Sequence, residues 1–160
     1  DRFRMKNDRW IALGKYPPIG RRGVSSTTVR TGYSLGGGTR KTLAEMNEAT
    51  HLMAMIESDL GYEALDDILE VEGCDMITFG YQDWCADLDL FGEAAKAHIV
   101  PKAERLVTAS AEAGKIVTTV VSGPEEAVHY VSLGARMLLL GVDISLKRSA
   151  LADRIEAFTC

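Results

Sequence analysis

His51–Ser58, reading HLMAMIES, and Asp75–Asp83, reading DMITFGYQD, decide how this chain is read, because each is a short apolar run followed by a carboxylate. Two further apolar runs follow, Lys115–Val121 and Arg136–Leu140. None of the four alternates strictly, which is the pattern of strands buried on both faces, as in parallel sheets. Helical patterns lie between them. Tyr62–Val71 puts Leu65, Ile68 and Leu69 on one stripe, with Asp66, Asp67 and Glu70 facing outward. Pro101–Ala113 places a proline in its first turn and Gly114 at its stop, and Pro124–Leu133 ends at Gly134 in the same way. Leu146–Phe158 is the last.

Four strand-helix units in succession imply a parallel sheet with right-handed crossovers. A closed (β/α) barrel of the TIM type needs roughly 200 to 250 residues, so 160 residues hold about half of one. The rival is an open, doubly wound sheet of four strands, although no GxGxxG follows any strand. The reading is of a single partial-barrel domain over 1–160. Within it, 1–50 form a helix tail, a Pro-Pro turn and a Gly-rich loop, and 51–160 form the four units. Gly36–Gly38 reads as a hinge before a helix over Lys41–Ala49; without GxxxxGK[ST] spacing it is a loop rather than a phosphate cradle. Asp1 is not a natural initiator, so residues upstream are expected.

Composition excludes several classes. The net charge of -5 and the lack of a basic cluster beyond Arg21 and Arg22 beside Lys15 argue against a nucleic-acid surface. No apolar run reaches the ~18 residues of a membrane helix. Cys74, Cys85 and Cys160 show neither CxxC spacing nor an even count, so a reducing cytoplasm without disulfides or zinc fits best.

Chemistry in barrels collects at the C-terminal ends of strands. Glu57 closes the first apolar run and Asp83 follows the second after a Tyr81-Gln82 step. Neighbouring parallel strands would bring both carboxylates to one face, where their repulsion calls for a cation or a shared proton. Mg²⁺ or Mn²⁺ suits two such oxygen ligands, its remaining positions going to water and substrate. Helix capping by either residue, or a metal-free acid-base pair, would also explain them. Cys85 has no His or Asn arrangement around it in the sequence and reads as a small buried hydrophobe.

Several segments in order resemble one family. Lys15–Ser26 looks like a YPPxGxRGxGS segment, Met55–Ser58 like QIET, Val71–Asp75 like VEGVD, Phe79–Asp83 like the start of IGPADLS, and Leu140–Asp143 like VGVD. Together they identify the chain as resembling the C-terminal half of the HpcH/HpaI aldolases, from about residue 15 onward. The resemblance implies a class II aldolase or lyase joining pyruvate, a 2-oxo acid, reversibly to an aldehyde. Glu57 and Asp83 fall on its two metal-binding carboxylates, and Met55, Gly80, Gln82 and Asp83 on its substrate contacts. There a Mg²⁺ or Mn²⁺ ion would polarise the ketone and stabilise the enolate, and the Gln82 and Asp83 amides would meet the pyruvate carboxylate.

Departures are expected to reshape the pocket: Met55 replaces a glutamine, Tyr81 and Gln82 replace Pro and Ala, and Trp84-Cys85 replace Leu-Ser. The family's proton-transferring His, its supporting Asp and an Arg come from upstream of Asp1, so no catalytic residue is assigned here, and His51, His98 and His129 read as structural or exposed. The family's exchanged C-terminal helices imply a homo-oligomer packed through Leu146–Phe158. The alternatives are a non-catalytic half-barrel binding protein that retains the metal loop, and a citrate-forming condensing relative.

Overall fold

The computed structural model describes residues 9–25, 27–29, 33 and 39–158. A helical segment over 9–14 (α1) leads into the Pro17–Pro18 turn. The remaining elements are α2 (Arg40–Glu48), β1 (Met53–Ile56), α3 (Asp59–Glu63), α4 (Leu65–Leu69), β2 (Met76–Phe79), α5 (Tyr81–Leu88), α6 (Gly92–Glu112), β3 (Ile116–Val120), α7 (Pro124–Ser132), β4 (Met137–Leu139) and α8 (Asp143–Glu156). The Gly36–Gly38 hinge lies outside the described residues.

All strand pairs are parallel, and the sheet order is β1-β2-β3-β4. A doubly wound sheet reverses its strand order at a switch point. Here the order simply follows the chain, which is the arc of a barrel and removes the open-sheet rival.

One face of the sheet is packed. Register aligns Ala54 with Ile77 and Ile77 with Val117, and these side chains meet Leu106 and Val107 of α6, Tyr130 of α7 and Ile68 of α4. The expectation of burial on both faces is met only in part: on the face away from Ile77 and Val117, Thr78 and Thr118 are buried at the centre of the sheet. On the opposite face Met53, Met55, Ile116, Val120, Met137 and Leu139 are exposed, because the described chain lays no element across them. The apolar runs therefore carry a second face whose apolar residues at the ends of the sheet are left uncovered by the described chain.

Two helices differ from the expected ones. Tyr62–Val71 is not one helix; α3 and α4 meet at Ala64, whose ψ of 10° breaks the ladder. The helix expected to begin at Pro101 starts at Gly92, with Pro101 inside it. A mid-helix proline deprives the carbonyl four residues back of its partner. Here that carbonyl belongs to Ala97, and both residues are exposed, so water can replace the lost bond. The apolar face at Ile99, Ala103 and Leu106 holds α6 together across the interruption.

Lys15 is buried rather than part of a surface basic cluster. Its ammonium donates to the carbonyls of Asn47, at 2.8 Å, and Thr50. Asn47 in turn accepts from Tyr16 N–H at 2.7 Å and donates to Tyr16 O at 3.0 Å, tying the Pro-Pro segment to α2. This lock sits beside Asp75, which precedes β2, and so at the N-terminal end of the sheet.

At the helix stops, Gly114 and Gly134 take φ of +75° and +115°, as the sequence anticipates. Gly134 also has no room: a Cβ there would lie 2.5 Å from Ala111 Cβ. Gly134→Ala is expected to cost roughly 1–3 kcal/mol through combined backbone strain and overpacking, read as a lower urea midpoint at unchanged m-value.

Candidate metal and substrate site

Parallel register builds the site. Ile56 pairs with Phe79, and Gly80 N–H extends the pairing by donating to Ile56 O at 2.9 Å. Glu57 and Gly80 therefore leave adjacent strands side by side at their C-terminal ends. Contact is close: a Cβ on Gly80 would sit 3.1 Å from Glu57 Oε2 and 3.3 Å from Met55 Sδ. Gly80 is the N-cap of α5, so the Glu57 carboxylate lies across the start of the helix that carries Asp83 in its first turn.

The capping explanation fails for both acids. Ser58, not Glu57, caps α3, its hydroxyl accepting from Gly61 N–H at 3.1 Å. No side chain caps α5, where Asp83 is the third residue. Among the described residues neither Glu57 nor Asp83 has a hydrogen-bond or ion-pair partner, and both are exposed. The first ladder bond of α5 runs from Trp84 N–H to Gly80 O, 2.9 Å, which leaves the Tyr81, Gln82 and Asp83 amides without an intrahelical acceptor. Two free carboxylates thus stand beside a set of free N–H donors at the positive end of a helix dipole. Hard oxygen donors without a cationic side chain fit a divalent ion. No group of three or more His, Cys, Asp or Glu suited to a metal occurs among the described residues, and Glu57 and Asp83 are the candidate pair.

The remaining predicted residues are placed as follows. Met55 is about half exposed on β1 beside Gly80, and Gln82 is exposed in the first turn of α5. A hollow of 390 Å³ runs along the free edge of β1 and includes Met55 and Glu57, but its wall also takes in Trp10, Ile68 and Cys74. It spans both faces of the strand and omits Asp83, so it is the opening beside an unpaired edge rather than a substrate cavity. Trp84 does not reshape the pocket as expected. It is fully buried and packs with Cys85, Ala95 and Ile99 behind the site.

Sequence reasoning missed Asp59. It opens α3 and collects three donors: Trp84 Nε1 at 2.9 Å, Lys102 Nζ at 2.7 Å and His98 Nε2 at 2.8 Å. His98 Nε2 is also 2.8 Å from Lys102 Nζ. One ring nitrogen cannot donate and accept at once; a carboxylate accepts only, so the tautomer protonated at Nε2 is the one that serves Asp59. His129 pairs with Glu104 at 2.8 Å, and His51 precedes β1 at the far end of the sheet. The missing signal was the approach of α6 to the start of α3, which brings Lys102 to Asp59 across a long stretch of sequence.

The sequence profile of the HpcH/HpaI aldolase/citrate lyase family matches residues 12–150. The chain belongs to that family. A 2-keto-3-deoxy-L-rhamnonate aldolase from Salmonella paratyphi B is 31% identical over 148 residues, covering 92% of this chain and 55% of the aldolase. The chain spans about half the length of such curated relatives. An HpcH/HpaI aldolase from Desulfitobacterium hafniense superposes with a TM-score of 0.75 at 26% identity, over 92% of this chain and 57% of that one. A Burkholderia cenocepacia protein of the HpcH/HpaI aldolase/citrate lyase family reaches 0.79 at 22% identity, over 94% of this chain and 59% of its own. At that identity the second likeness speaks for the fold alone: a parallel α/β arrangement of the barrel type.

Burial pushes the Asp59 carboxyl up, but the bonds from Lys102, His98 and Trp84 outweigh it and hold the group at about 2, below its ordinary 3.8. A depressed carboxylate contributes stability above its unfolded pKa and loses it as pH falls through the folded value. Acid unfolding is therefore expected to draw on Asp59 between about pH 4 and pH 2. Asp59→Asn should flatten the stability curve in that window, and identical acid limbs for parent and variant would contradict the assignment. The side chain is 30% exposed, so solvent screening keeps the effect modest.

Proposed function

We propose that the chain is the C-terminal partial-barrel domain of a metal-dependent carbon-carbon lyase acting on a 2-oxo acid, with pyruvate and an aldehyde as the products of cleavage. The observation that carries this reading is the pair of unpartnered carboxylates, Glu57 and Asp83, beside the uncapped start of α5 in a chain of this family. The 2-keto acid in the name of the Salmonella relative supports the substrate class.

Glu57 and Asp83 would hold a divalent ion, Mg²⁺ or Mn²⁺. When bound, it supplies Lewis acidity to the ketone of the 2-oxo acid. The Gln82 and Asp83 amides receive the substrate carboxylate, as anions are received at helix N-termini. Gly80 leaves the space that a side chain would take from Glu57, and the Met55 thioether forms an apolar wall without an amide to offer. His98 sits on α6 and His129 on α7, while His51 precedes β1 at the opposite end of the sheet, so none is assigned to proton transfer at this site. That task falls to residues outside this chain.

Association with further copies is part of the proposal. In α8, Ile144, Leu146, Leu151 and Ile155 are all exposed, and the helix buries no residue within this chain. Cys74 and Cys85 are free thiols, which suits a reducing cytoplasm. No described helix is long and apolar enough to cross a membrane.

Titration with Mn²⁺, followed by calorimetry or electron paramagnetic resonance, tests the ligand assignment. Glu57→Gln and Asp83→Asn are each expected to weaken binding at least about tenfold, since each removes one of two charged ligands. Parent-like affinity in both variants would sink the reading. Gly80→Ala, at an unstrained φ of −98°, should weaken Mn²⁺ several-fold with little change in metal-free stability, because the new methyl displaces the Glu57 carboxylate by a few tenths of an ångström.

A further inference from the structure

We infer that Trp84 and Asp59 form a strut that sets the position of the Asp83 carboxylate relative to Glu57, acting as positioning residues for the metal centre; this rests on the metal reading above. Each end of the strut is anchored next to one ligand. Asp59 lies two residues beyond Glu57, at the first position of α3, and Trp84 immediately follows Asp83 in α5. Backbone pairing joins the strands only as far as Gly80 N–H to Ile56 O. Beyond that bond, the segments carrying the two ligands are connected through the indole N–H of Trp84 to Asp59 Oδ1, at 2.9 Å.

Both partners are held where they are. Trp84 is fully buried, its ring 5.9 Å from that of Tyr62 and in contact with Cys85 and Ile99. An indole has a single donor, and Asp59 accepts it. Asp59 is itself fixed from α6, by Lys102 on Oδ1 at 2.7 Å and His98 on Oδ2 at 2.8 Å. Lys102 also lies over the Tyr62 ring, 5.6 Å from its centroid. α6 thus braces the loop after β1 and, through it, the first turn of α5. The leucine that the resemblance sets at position 84 has no side-chain N–H and could not make this link. Outer partners that orient metal ligands commonly change metal affinity 10- to 100-fold when lost.

Mn²⁺ affinity and metal-free thermal stability, measured together in the purified protein, separate positioning from mere support. Trp84→Phe keeps an aromatic ring and removes the donor; Asp59→Leu removes the acceptor; Asp59→Asn keeps an oxygen for the indole. The expected result is Mn²⁺ binding weakened about tenfold in the first two and restored to within about threefold of the parent in Asp59→Asn. A lower melting temperature with parent-like Mn²⁺ affinity in both Trp84→Phe and Asp59→Leu would overturn the strut, as would an Asp59→Asn variant as weak as Asp59→Leu. If Trp84→Phe does not fold, the two Asp59 variants decide by the same criteria. Loss of Mn²⁺ binding in Glu57→Gln alongside intact binding in Trp84→Phe rejects the strut alone. Intact binding in both Glu57→Gln and Asp83→Asn rejects the metal reading and the strut with it.

Discussion

The parallel pairing of β1 with β2 is the constraint on which the candidate site depends. Met53 through Ile56 face Met76 through Phe79 residue by residue, and the Gly80 amide adds one more bond to the ladder. A slip of one residue would turn Ile56 and Ile77 out of the core, while a slip of two would carry Glu57 roughly 7 Å along the strand, away from the start of α5. Burial of Ile56, Ile77 and Val117 in one core opposes the one-residue slip, and the Gly80 N–H to Ile56 O bond marks the observed register at the strand ends. The apolar core beneath the sheet therefore fixes the place of a charged group at its rim.

Electrostatics divides the loop after β1 into two unlike carboxylates. Asp59 is saturated with donors and held well below its ordinary pKa, which is the behaviour of a structural acid. Glu57, two residues earlier, has no partner among the described residues and lies against the N-terminus of α5. A fold that can surround one acid with Lys102, His98 and an indole places none of these on the other. The contrast within a single short loop separates an acid that maintains the structure from one available to a cation.

Legibility followed the range of the interactions. The strand runs, the Gly114 and Gly134 stops and the positions of Glu57 and Asp83 after their strands all depend on neighbours in sequence, and were readable. Pro101 misled because its tolerance inside α6 depends on which side of the helix faces water. Trp84 misled because a bulky residue beside a ligand suggests a pocket wall, whereas its direction is set by the Ala95 and Ile99 surface that α6 presents. Lys15 looked like surface charge until the carbonyls of Asn47 and Thr50 were brought to it across the chain. The role of Asp59 needed a partner on α6, and no local pattern announces such a pair.

Changes around the carboxylates fall into two physical groups on the proposed reading. Trp84 lies behind the site and acts on where Asp83 stands, so its effect should reach any substrate equally. Met55 and Gln82 lie in front, exposed toward the space where a 2-oxo acid would sit. A thioether at 55 cannot donate a hydrogen bond and accepts one only weakly, so a substrate hydroxyl reaching that side would lose its water without gaining a good partner. Discrimination on that side then rests on apolar contact, which distinguishes substrates less sharply than a buried hydrogen bond does. On that reading the helix amides and an ion held by the two carboxylates would recognise the part that every 2-oxo acid shares, leaving the aldehyde half to be chosen by groups beyond β1 and α5.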